Sequence, residues 1–172
     1  MNVVHHYLSL VIFTAAFIAG VQLPSFMDQY TKRVDAHLIE VEDHLSGYQN
    51  TADIYHGGDI EVLIQKHSNS SDPSFRSETA VIEGLVSNHR RYIAEQKAIE
   101  GGLLSASFHV MFFGDRQIKE EVLNSYTATM PLTTNAISTG LILALLVSMV
   151  LELLWVTLRI PGKRMSAIKA HG

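Results

Sequence analysis

One uninterrupted apolar stretch, Ala136 to Leu158 (AISTGLILALLVSMVLELLWVTL), limits what this chain can fold into more than any other feature. Its only ionisable residue is Glu152, and no charged residue stands between Glu121 and Glu152. A run of about 18 or more apolar residues is long enough to cross the hydrocarbon core of a bilayer as a single helix. Within it, Gly140, Ala144, Ser148 and Glu152 recur at every fourth position, placing three small side chains and one acid on one helix face. Small residues let helix backbones approach closely, so this face calls for a partner helix.

A second apolar run, Val3 to Leu23, lies in a segment with no Lys, Arg, Asp or Glu before Ser25. It lacks the basic start of a secretory signal and reads as a first transmembrane helix over 1–23, with the second over 136–158. Ala16 and Gly20 are a small-xxx-small pair, so the first span also offers a face for close packing. Two spans around a connecting domain at 24–135 put both termini on one side of the membrane. The tail at 159–172 holds Arg159, Lys163, Arg164 and Lys169, and the positive-inside rule assigns that side to the cytoplasm. In a bacterium the chain would sit in the inner membrane with its central domain in the periplasm.

The central domain is acidic, with nine Lys/Arg against sixteen Asp/Glu between Ser25 and Asn135. That balance repels phosphates and argues against a nucleic-acid partner. The chain has no Cys, which removes disulfide and thiolate chemistry. Phe26, Tyr30, Val34, Leu38, Val41, Leu45 and Tyr48 form a stripe at spacings of three and four, with a coiled-coil rhythm after Val34. The spacing predicts a long helix from about 25 to 54, started at Pro24 and stopped at Gly57 and Gly58. Asp59 would cap a short helix, and Asp72 with Pro73 would open a second long helix over about 73–100. Two long amphipathic helices with a compact connector predict an antiparallel helical hairpin. The fold class expected is thus an all-α membrane protein, two transmembrane helices flanking an extracytoplasmic hairpin or bundle. Leu103 to Gly114 is apolar and uncharged but too short to span. Two placements are open for it, the outer membrane interface or the buried base of the bundle. Asp115 would cap a further helix, and Thr133 and Thr134 the second span.

The run Gln22-Leu23-Pro24-x-Phe26-x-x-Gln29-Tyr30-x-x-Arg33-x-x-Ala36-His37, a long helix after it, Asp72-Pro73, and Pro131-Leu132-Thr133 before the last span resembles a bacterial inner-membrane family known as a domain of unknown function, family 2937. The resemblance covers nearly the whole chain by order of elements. It implies a two-pass inner-membrane protein and carries no catalytic residue across.

Nine histidines invite a metal hypothesis. Di-iron and di-manganese bundles use Glu-x-x-His, whereas the residues three before His37, His44, His67 and His89 are Val34, Val41, Ile64 and Val86. Glu40 and His44 stand one turn apart with His37 nearby, a weak pattern more often found on a solvated face. Zincin, nucleophile-elbow, Walker and dinucleotide signatures are all missing from the sequence. No enzyme, cofactor, metal site or small-molecule substrate is expected. Glu152 falls ~24 Å along the second span, and an acid at that depth needs a partner. Antiparallel spans would bring His5 or His6 near it; the bland alternative is an acid snorkelling to the interface beside Trp155. The expected role is a structural or accessory membrane protein, lipid-embedded, that forms a homo-oligomer or docks on a larger inner-membrane complex through Gly140, Ala144 and Ser148 and through its hairpin. The alternatives are a periplasmic sensor module working through a separate partner, or a subunit of an oligomeric channel or transporter.

Overall fold

The computed structural model describes residues 3–126 and 133–169, and side chains over 6–126 and 133–157. Pro131 and Leu132, and the side chains of His5, Arg159, Lys163, Arg164 and Lys169, lie outside the described residues. Among the described residues every regular element is a helix: α1 (Val3–Tyr55), α2 (Ile60–Ser68), α3 (Pro73–Ile99), α4 (Leu103–Phe112), α5 (Arg116–Ser125) and α6 (Thr134–Lys169). Two of them, α1 and α6, are long and apolar enough to cross a membrane.

The helix expected to begin after Pro24 is continuous with the first apolar run, because α1 passes through Pro24 without a break. Proline removes one backbone N–H and crowds the carbonyl four residues back, at a cost of about 3 kcal/mol in a helix interior. Here Val21 on one side of it and Met27 and Tyr30 on the other are all buried, so the flanking turns are held by packing. The helix ends where expected. Gly57 and Gly58 take φ of +63° and +85°, a region that costs residues with a Cβ. Asp59, Asp72 and Asp115 then start α2, α3 and α5 by accepting from the amides of Glu61, Ser74 and Ile118 at 2.9, 2.8 and 3.1 Å.

The chain divides into two compact units. The first comprises Met1–Phe26 and Thr127–Gly172. Its packed seam is made by small residues: Val21, Gly140, Ala136 and Ala144 are buried. The outward face of α6, with Leu141, Leu145, Met149 and Leu153, is exposed and apolar, as a lipid-facing surface would be.

The second unit is Met27–Tyr126. Met27, Tyr30, Val34, Leu38 and Val41 of α1 are buried at helical spacing, as are Ile82, Val86, Tyr92, Glu95 and Ile99 of α3. Tyr30 meets Glu95, His37 stacks on Tyr92, and Glu42 pairs with His89. Positions on α3 fall as positions on α1 rise, so the two helices run antiparallel. Arg33 to Ser125 and His37 to Glu121 set α5 antiparallel to α1 in the same way. At the other end of this unit, Ile64, Ile82 and Val86 form a cluster joined by Leu45, Tyr48 and Ile60. Each fully buried aliphatic side chain of this kind contributes about 1.5–3 kcal/mol.

Candidate functional site

The densest chemistry in the second unit lies where α1, α3 and α4 meet. Tyr30 is completely buried, and its hydroxyl donates to Glu95 Oε1 at 2.7 Å while accepting from the backbone N–H of Asp115. Burial, reinforced by the Glu95 carboxylate, pushes the Tyr30 phenol far above its ordinary range. It is therefore a hydrogen-bond donor at any physiological pH and not a base. Glu95 is only 8% exposed. His109 Nε2 lies 3.1 and 3.2 Å from its two oxygens, a position that an N–H at Nε2 satisfies. Both oxygens of Glu95, the one buried acid among the described residues, are thereby engaged.

Local geometry assembles this cluster. Phe113 and Gly114 both donate their amides to the His109 carbonyl, at 2.7 and 2.8 Å, which closes α4. A Cβ at Gly114 would fall 2.7 Å from Val110 Cα and 3.0 Å from Tyr30 Oη, so only glycine lets the chain pass this close to the phenol. The next residue, Asp115, caps α5 through Oδ1 and faces Arg91 Nε through Oδ2 at 3.4 Å. Arg91 donates to Tyr92 Oη at 2.8 Å, with its guanidinium 4.7 Å from that ring centroid. His37 also stacks on Tyr92, at 5.2 Å with an interplanar angle of 12°. His37 Nε2 bonds Glu121 Oε2 at 2.7 Å, and that bond holds the Glu121 carboxyl below its usual range against its own desolvation.

Beside this chain of contacts is an open groove of about 330 Å³ lined by His37, Glu40, His44, Asn88, Tyr92 and Gln117, among others. It contains the three residues of the weak metal pattern. His37 turns Nε2 to Glu121 and Nδ1 to Glu40 at 3.6 Å, leaving neither ring nitrogen aimed at a shared point with His44. Among the described residues no three His, Asp or Glu side chains are arranged to hold a metal ion.

The residues singled out on the spans fall in the first unit. Gly20 and Gly140 face each other: a Cβ on Gly20 would lie 2.7 Å from Gly140 Cα, and one on Gly140 would lie 2.5 Å from Val21 Cγ2 and 2.9 Å from the Phe17 carbonyl oxygen. The helix that the Gly140 and Ala144 stripe calls for is thus, in the first place, the chain's own α1. Ala16 and Ser148 are half-buried. Glu152 is exposed, with no hydrogen-bond or ion-pair partner among the described side chains. His6 is exposed and sits edge-on to Tyr7 at 6.0 Å.

Residues 4–164 match the family described as Protein of unknown function (DUF2937). The chain belongs to the DUF2937 family. No curated protein and no solved structure matches it. The DUF2937 description carries no activity, so chemistry has to be read from the residues themselves. The Tyr30, Glu95 and His109 cluster escaped the sequence reading, although one signal was present. Glu95 lies three after Tyr92 and four before Ile99, an acid set into the apolar stripe of α3.

Proposed function

We infer that this DUF2937 chain is a non-enzymatic structural or accessory protein of the bacterial inner membrane. In this reading both termini are cytoplasmic, the second unit stands in the periplasm as a helical hairpin, and the protein assembles with copies of itself or with a larger membrane complex. The observation that carries it is the mutual engagement of the acids where α1, α3, α4 and α5 meet. Glu95 is closed off by Tyr30 and His109, Glu121 by His37 and Gln117, and Asp115 by Arg91 and its own helix start. Side chains engaged with one another in this way hold helices in register, the work of a structural element. Orientation rests on Arg159, Lys163, Arg164 and Lys169 following an uncharged first span. The Gly20 and Gly140 crossing makes the anchor, bordered by Ala16 and Ser148. Glu152, exposed on the stripe that runs from Gly140, is the polar group offered to His5, to His6 or to a partner.

Because the chain has no Cys, topology is directly testable. In whole cells with a permeabilised outer membrane, Val81→Cys should react with an impermeant maleimide and Ser166→Cys should not. Affinity purification of the full chain from native membranes should then give a homo-oligomer or a stoichiometric membrane partner. A lone monomer, with Glu152→Gln leaving thermal stability unchanged, would overturn the assembly reading. One observation favours a sensor as the second reading: α1 is a single helix from Val3 to Tyr55, so a movement in the hairpin would pass straight into the span. A soluble compound that raises the melting temperature of the detergent-solubilised chain would support that alternative.

A further inference from the structure

The helix α4 has the composition of a core element and the exposure of a surface one. From Leu103 to Gly114 there is no Asp, Glu, Lys or Arg, yet Leu104, Phe108, Met111, Phe112 and Phe113 are between 60% and 74% exposed. Soluble surfaces rarely carry so many large apolar groups side by side. The three phenylalanines also gather: Phe108 lies 4.7 Å from Phe112 and 6.4 Å from Phe113, centroid to centroid. Nor can the helix roll to hide them. Its opposite face is fixed by buried Ala106 and Val110, by His109 on Glu95, and by Gly114 against Tyr30.

Chain connectivity says what covers this face. Tyr30, which Gly114 touches, is seven residues past Leu23 on the same unbroken helix, a rise of only ~10 Å beyond the last residue of the apolar run. The interfacial zone of a bilayer is roughly 5–8 Å deep on each side of the hydrocarbon core, and side chains of Phe, Leu and Met reach further still. Immediately after the run the sequence turns polar, with Asp115, Arg116 and Lys119. An uncharged, aromatic, one-sided helix tethered this close to a span meets lipid before it meets another protein.

We propose that α4 is an interfacial helix whose Leu104, Phe108, Met111, Phe112 and Phe113 enter the headgroup and upper acyl region of the bilayer that α1 and α6 cross, docking the second unit onto the membrane surface. The inference rests on the reading that α1 and α6 span the bilayer. Trp155 is the only tryptophan and reports on that reading separately. The full chain is placed one copy per disc in phosphatidylcholine nanodiscs, with lipid carrying bromines near the top of the acyl chains. Quenching of Trp155 in the native chain establishes the spans; its absence overturns the membrane reading as a whole.

The test of α4 then uses Trp155→Phe carrying either Phe108→Trp or Val81→Trp. Val81 precedes Ile82, which packs in the cluster joined by Tyr48, and Tyr48 is ~37 Å of helix past Leu23, so it serves as the aqueous control. The expected result is blue-shifted Phe108→Trp emission that loses most of its intensity to brominated lipid and little to iodide, with the reverse at Val81→Trp. Emission at Phe108→Trp as red and as iodide-sensitive as at Val81→Trp overturns the proposal. A blue shift that appears only with two chains per disc, and without bromine quenching, also overturns it, because a second copy is then the occupant.

Discussion

Replacing Tyr30 by Phe tests whether the buried hydrogen-bond cluster holds the second unit together. The ring is fully buried and the change removes only the hydroxyl, so apolar packing is preserved and no cavity larger than an oxygen opens. Two interactions go. Glu95 Oε1 loses its 2.7 Å donor, and a hydrogen bond to a charged group is worth about 1.5–3 kcal/mol. The Asp115 amide loses its acceptor at a site without solvent, and an orphaned buried donor costs about 1–3 kcal/mol. Because the two share one atom they do not add in full, and the net loss is roughly 2–4 kcal/mol. His109 stays on Glu95, so the acid is not left bare. The assay is native-state hydrogen exchange of the detergent-solubilised chain, read by mass spectrometry on peptides from 92–118. At 1.4 kcal/mol per tenfold, exchange there should accelerate by roughly 30- to 1,000-fold, while peptides around Gly57 to Ser74 keep their protection. Acceleration of less than about threefold, or an equal rise at both ends of the unit, would refute the reasoning, because the cluster would then be surface decoration.

Three further outcomes are expected. Gly140→Ile places a branched side chain where a Cβ already falls 2.5 Å from Val21 Cγ2, and overpacking of this kind costs about 1–3 kcal/mol; cysteines introduced at Phe17 and Gly140 flanks should lose their cross-link in that background. Gly58→Ala forces a Cβ into φ +85° and should lower stability by about 1–2 kcal/mol in thermal unfolding, whereas the exposed Gly47→Ala, inside α1, should raise it. The folded-state depression of Glu121 contributes stability above the ordinary carboxylate value of about 4.3, and that contribution is lost as pH falls through the lowered value. Glu121→Gln should therefore unfold less steeply than the native chain across that acid window, as followed by circular dichroism.

What the sequence made legible is local. Asp59, Asp72 and Asp115 can be recognised as helix starts because a cap needs only its own next three residues, and Gly57 and Gly58 as a stop because the backbone conformation there excludes a Cβ. The two apolar helices were readable from length and composition alone. The cluster was not, since Tyr30 and Glu95 stand 65 positions apart and Glu95 and His109 fourteen, and only the antiparallel path of α3 and the turn into α4 bring them together. Pro24 misled for a related reason. Its local rule favours a helix start, but packing on either side outweighs the lost hydrogen bond. Leu103 to Gly114 left two placements open, because its apolar composition states what the side chains avoid and not which surface they meet.

The buried positions of α1 give that packing a pattern. Gly20, Met27, Val34 and Val41 are each buried and stand seven apart along one unbroken helix. A straight helix drifts ~20° per heptad against such a repeat, so three heptads stay on one face only if the helix is continuous and slightly wound. Glycine stands at position 20, where the neighbour is another backbone, at Gly140. Tyr30, three past Met27, adds a buried hydroxyl tied to α3 and to the start of α5. Apolar burial alone would let this part of α1 pack against many helices; the bonds of the phenol to Glu95 and to the Asp115 amide select α3 and the start of α5.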